Sequence, residues 1–172
     1  EHYNQAVEDL NVTASAIEFY ASLFGEYPFF EEKYGHSIFP WSGAMEHQCN
    51  TSYGSGLIRG NHTYDYIVVH ELSHQWFGDM ISPATWPEIW MNEGFASYCE
   101  ALWAEHISGS QAYRNYMNYS NQVSDPSGPI YDPDELFSGN TVYNKGSWVV
   151  HMLRGVMGDE AFFAGLKDYA TD

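Results

Sequence analysis

A chain of 172 residues with 44% hydrophobic and only 17% charged side chains is long enough to bury one core and too apolar to stay disordered. Its 23 acidic residues against 6 basic ones give a net charge of −17. Such a surface argues against nucleic acid and anionic membrane as partners and favours cations, a peptide's protonated amino terminus among them.

No run of about 20 apolar residues is present, so no membrane span is expected. Cys49 and Cys99 lack a CxxC spacing and give neither a disulfide framework nor a metal knuckle. Cys99, among apolar neighbours, reads as a small core residue. The chain starts without an initiator Met and without a secretory leader. We therefore expect residues 1–172 to be one domain excised from a longer protein, and no compartment can be read from it.

The first periodic segment covers residues 11–24, where Val12, Ile17, Tyr20, Ala21 and Phe24 recur at helical spacing and Gly25 supplies a stop. Between residues 34 and 58 the texture changes to short strand-like pieces at 37–39, 44–48 and 56–58, broken by Pro40, Gly43 and Gly54. A strong helix follows over 63–77 with Gly78 as its cap, then a loop holding Pro83 and Pro87, then a helix over 91–106. A helix over 111–123 runs into a loop punctuated by Asp125-Pro126-Ser127-Gly128-Pro129 and Asp132-Pro133. Helices over 142–157 and 160–169 close the chain. The class is α+β, helix-rich, with a small sheet near the front.

One constellation carries chemistry. His70-Glu71-Leu72-Ser73-His74 is an HExxH pattern on the 63–77 helix. Residues four apart are rotated by only about 40° on a helix, so both imidazoles leave one face and can share an ion. Glu71, about 100° further round, can reach a water beside the metal without ligating it. A catalytic zinc needs a third protein ligand and one open position. Glu93 supplies that ligand: it opens the next helix, and the Gly78/Pro83/Pro87 loop is long enough to turn that helix back. Glu100, seven positions further on the same face, can accept a hydrogen bond from a ligand imidazole. The remaining histidines, His2, His36, His62, His106 and His151, read as solvated or packed.

These residues resemble the aminopeptidase N family of zinc metallopeptidases. The family joins HExxH to a glutamate across 18 residues, the number that separates His74 from Glu93. Trp90-Met91-Asn92-Glu93-Gly94-Phe95 resembles its third-ligand segment, and Gly43-Ala44-Met45-Glu46-His47 its Gly-Ala-Met-Glu-Asn motif. Val142-Tyr143-Asn144-Lys145-Gly146 resembles the segment that bears its catalytic tyrosine. The resemblance implies a thermolysin-like catalytic domain with one Zn2+ per chain. It implies that Glu46 binds the free α-amino group, that Gly43, Ala44 and Met45 line the substrate strand, and that Tyr143 donates to the oxyanion. It also implies two absent partners, an amino-terminal β-domain and a carboxy-terminal helical domain. His47 departs from the motif's Asn.

The expected activity is hydrolysis of the amino-terminal peptide bond, with Glu71 as general base. An endopeptidase of the same zinc class is disfavoured by Glu46, which can pair only with a free ammonium. A non-catalytic zinc module has no need of Glu71 or Tyr143.

Overall fold

The computed structural model describes residues 2–170. Two helices open it, α1 (His2–Leu10) and α2 (Val12–Phe24). α1 lies outside the expected elements, because it joins the domain through a polar tether rather than a readable apolar stripe. Its one buried residue is Asp9. That carboxylate accepts backbone N–H bonds from Arg59, Gly60, Asn61 and His62 at 2.6, 2.8, 2.8 and 2.9 Å. α1 is thereby pinned to the loop that leads into α3 (Asp65–Ser73). α2 follows its periodicity: Ala16, Tyr20 and Phe24 are buried, and the last two meet the indole of Trp76 edge-on. Gly25, at φ 102°, ends it.

The sheet has three strands, β1 (Gly35–Phe39), β2 (Ala44–Met45) and β3 (Asn50–Gly54), in the order β1-β3-β2. β1 runs parallel to β3, and β2 antiparallel to it, with Ala44 opposite Tyr53 and Met45 opposite Ser52. The expected strand at 37–39 lies within β1, while that at 44–48 shrinks to two residues at the sheet's edge. The expectation at 56–58 is corrected: Ser55–Leu57 is a 3-10 turn, and the strand precedes it. Leu57 and Ile58 are apolar because the turn buries them. In β3 the inward positions are Thr51 and Tyr53, both wholly buried, so its period-two signal rests on a threonine and a tyrosine.

The expected helices are present with shifted ends. α3 stops at Ser73 rather than 77, and a wide turn, Gln75–Met80, carries the chain out through Phe77 (φ −111°) and Gly78 (φ 150°, ψ −60°). α4 spans Trp90–Ser108 and is buried without a break from Asn92 to Trp103. α5 (Ser110–Asn115) runs into a wide turn, Tyr116–Ser120. A second wide turn, Gly139–Lys145, enters α6 (Gly146–Met157), and α7 (Asp159–Tyr169) follows. No described helix is long and apolar enough to cross a membrane.

α4 is the axle of the domain, packed on α3 at one side and α6 at another. α4 and α6 cross at two glycines. A Cβ on Gly94 would lie 2.8 Å from the Gly146 Cα, and one on Gly146 would lie 2.9 Å from the Gly94 Cα. That close approach brings the turn before α6, which carries Tyr143, up to the start of α4, which carries Glu93.

Gly94→Ala should lower the melting temperature by the several degrees that about 1–3 kcal/mol of overpacking produces. Alanine at an open helical site has the opposite sign, so a rise in melting temperature would contradict the crossing. Asp9 gives a pH prediction. Burial would raise its carboxyl, but the four amide donors outweigh burial and hold it below the ordinary aspartate value. Its contribution is therefore complete above that ordinary value and is lost as pH falls through the depressed one. Melting temperatures of the parent and of Asp9→Asn should differ most well above the ordinary aspartate value and draw together as pH falls below it. A gap that widens on acidification would contradict the cradle.

Candidate metal centre

The last turn of α3 and the first turn of α4 face each other, and the HExxH face of one meets the carboxylate of the other. Glu93 Oε2 lies 3.3 Å from His70 Nε2 and 3.5 Å from His74 Nε2. Ligand atoms of His70, His74 and Glu93 all fall within 4.8 Å of one another, the one such group among the described residues. Each imidazole is turned by its other nitrogen. His70 Nδ1 donates to Glu100 Oε1 at 2.6 Å, and His74 Nδ1 donates to the Phe77 carbonyl at 3.0 Å. Both Nε2 atoms are thus left facing Glu93. Two imidazole nitrogens and one carboxylate oxygen, oriented from behind, are a donor set that suits zinc.

Gly78 makes the second of those contacts possible. Its backbone lies in the region open to glycine, and a Cβ there would stand 3.1 Å from His74 Nδ1 and 3.3 Å from the Asn92 side chain. The helix has to unwind after His74 for the Phe77 carbonyl to turn back onto the ring. The sequence offers Gly78 only as a cap, so this contact is not readable from it.

The charges sort themselves by partner. Burial would lower His74, but Glu93 outweighs it and carries the imidazole up to about 9. Burial would raise Glu93, yet His74 and His70 hold it far below the carboxylate range. Glu71 has no such compensation. Burial pushes its carboxyl up to about 7, with Glu46 and Glu93 adding to the rise and His70 and His74 opposing it. Glu71 is buried, and its Oε2 has no hydrogen-bond partner.

These groups share a cleft of about 370 Å³ whose wall also includes Trp41, Ala44, Met45, Glu46, Trp86, Phe137 and Tyr143. Tyr143 stacks on the His70 ring, with centroids 6.0 Å apart and planes 15° from parallel. Burial, with Glu93 next, raises its phenol well above the ordinary value, so it stays a donor. Gly43 is not on the cleft wall: its carbonyl accepts the Gly54 N–H at 2.9 Å, and the Trp41 indole covers its Cα. His47 is exposed, with Nδ1 3.1 Å from Ser52 Oγ. Glu100 is buried and, besides His70, accepts the Tyr116 hydroxyl on its other oxygen. Sequence reasoning passes over Tyr116, one of 14 tyrosines with no local pattern, and over Trp86 and Phe137, which meet edge-to-face at 6.2 Å on the rim. The other described histidines are packed or exposed. His106 stacks on Phe19, His151 bonds Tyr113, and His62 sits between Glu8 and Asp65.

An HExxH helix answered by a carboxylate from the next helix defines a metallopeptidase centre of the His/His/Glu kind. Residues 8–172 match the Peptidase family M1 domain, and the chain belongs to that family. It is 30% identical to aminopeptidase B of Rattus norvegicus over 192 residues, covering 100% of this chain and 28% of the relative. It is 31% identical to aminopeptidase N of Mus musculus, covering 93% of this chain and 19% of that one. Among solved structures, the M1 zinc metallopeptidase from Deinococcus radiodurans superposes with a TM-score of 0.78 at 33% identity, over 92% of this chain and 36% of that one. Yeast LTA4 hydrolase, at 22% identity and a TM-score of 0.81 over 93% of this chain, shares the fold. The chain thus spans little more than a quarter of the length of its longest-matched relatives.

Proposed function

We propose that this domain is a zinc-dependent aminopeptidase that hydrolyses the amino-terminal peptide bond of peptides. His70, His74 and Glu93 would hold one zinc. When bound there, the ion would supply Lewis-acid polarisation of the scissile carbonyl and acidify the attacking water. The observation that carries the reading is the shared cleft, which gathers the three donors, the unpartnered carboxylate of Glu71 and the carboxylate of Glu46.

The chain's own residues divide the work. Glu71, its Oε2 buried without a partner at the cleft wall, takes the proton from the attacking water and delivers it to the leaving amine. Tyr143 donates its phenol O–H to the oxygen on which negative charge develops. Glu46 receives the substrate ammonium, and this fixes the cut one residue from the amino terminus. β2 offers the substrate strand its edge through Ala44 and Met45, while the Gly43 carbonyl, off the cleft wall, is already given to Gly54. The aromatic rim of Trp41, Trp86 and Phe137 offers the substrate apolar contact within the cleft. We further infer that residues 1–172 act as one catalytic domain of a longer peptidase that also carries a helical domain and a β-domain, the latter closing over the substrate amine.

The test of the function is a panel of aminoacyl-arylamides with their acetylated counterparts. Free-amine substrates should turn over and the acetylated ones should not, because acetylation removes the charge that Glu46 pairs with. Equal rates would make the enzyme an endopeptidase and remove Glu46 from its role. Glu71→Gln should retain zinc, since no ligand is altered, and lose nearly all turnover; metal analysis beside single-turnover kinetics checks both halves. A variant keeping a tenth of the parent kcat would exclude Glu71 as the essential base. Tyr143→Phe should cut kcat by about 10²–10³ with KM near its parent value. An effect on KM alone would make Tyr143 a binding residue.

A further inference from the structure

We infer that Tyr116 is a positioning residue for the metal centre, acting on His70 through Glu100. The inference rests on the proposed zinc site and extends it one residue outward, to a side chain that touches neither metal nor substrate.

Glu100 is buried in the middle of α4 and meets two donors, one on each oxygen. Oε1 accepts the His70 Nδ1–H at 2.6 Å, and Oε2 accepts the Tyr116 O–H. A carboxylate bonded through one oxygen is free to swing, because the terminal sp³–sp² torsion has a broad minimum. Bonded through both, its plane is fixed. A fixed Glu100 holds the His70 ring at one angle, keeps its proton on Nδ1, and leaves the Nε2 lone pair free to ligate a metal beside Glu93. The tyrosine has a second effect. A buried carboxylate oxygen without a donor is costly, and the phenol satisfies it.

The placement comes from local structure. α5 gives way to the wide turn Tyr116–Ser120, which brings the phenol back toward α4, where Asn121 ties the turn down by donating to the Ser97 carbonyl at 3.0 Å. Tyr116 and Glu100 share the wall of a groove of about 490 Å³ with Tyr66 and Tyr143. His74 is oriented by a main-chain carbonyl that cannot be mutated away, so Tyr116 and Glu100 form the adjustable arm of the centre.

The experiment measures zinc affinity of the full-length protein by competition with a chromophoric chelator, alongside melting of the metal-free form. Tyr116→Phe removes one oxygen and keeps the ring. It should weaken zinc about tenfold, the lower end for a group behind a ligand, and lower the metal-free melting temperature by no more than the few degrees that one unsatisfied buried oxygen costs. Glu100→Ala should weaken zinc at least as much, and Tyr116→Phe should add nothing in that background, since the hydroxyl acts only through the carboxylate. Parent affinity in Tyr116→Phe, or a full further loss in the Glu100→Ala background, would overturn the inference. Tyr116→Leu repeats the comparison should the Phe variant not fold. His70→Ala is the separate control: if it leaves zinc affinity unchanged, the metal site itself is wrong, whatever Tyr116 does.

Discussion

Everything at this centre depends on burying three carboxylates and two imidazoles between α3 and α4. Glu71, Glu93 and Glu100 are 7%, 5% and 9% exposed, and His74 is 1% exposed. A charge so far from water needs a partner or gives up its charge. The three glutamates meet that demand in three ways. Glu93 faces both imidazoles and is held ionised; Glu100 is fixed by one imidazole and one phenol; Glu71 is left unpartnered and rises to about 7. Identical side chains thus acquire different chemistry from their neighbours alone, and only the unpartnered one is suited to accept a proton near neutrality.

The rest of the fold serves that packing. α4 has to be buried all round to bring Glu93 and Glu100 inward, which accounts for its lack of a polar face and for the glycine contact with α6. Regular helix geometry is abandoned at three places around the cleft: after His74, at Tyr116 and before Gly146. Each break aims a group that a straight helix could not: the Phe77 carbonyl, the Tyr116 phenol and the Tyr143 phenol. Wide turns of this sort commonly mark functional positions.

Much of this was legible in the sequence, and the limits have physical causes. HExxH puts two imidazoles on one helical face by geometry alone, and the Gly78/Pro83/Pro87 loop announces a reversal, so the meeting of His70, His74 and Glu93 could be read. Long periodic helices could be read too. Three things could not. α1 is held by a carboxylate reaching backbone amides some 50 residues away, which leaves no periodic trace. β3 reads as polar because its buried residues are threonine and tyrosine. Tyr116, Trp86 and Phe137 reach the centre only through tertiary packing, and nothing local sets them apart from other aromatics. Tyr143 and Glu46 were picked out by their resemblance to family motifs, which supplied what spacing could not.

The central claim, that one zinc is held jointly by α3 and α4, is tested most directly by anomalous diffraction at the zinc edge from crystals of the protein. The account predicts one peak per chain, about 2.0–2.2 Å from His70 Nε2, His74 Nε2 and a Glu93 oxygen, with no fourth protein ligand. A peak elsewhere, or a fourth side chain closing the site, would contradict it.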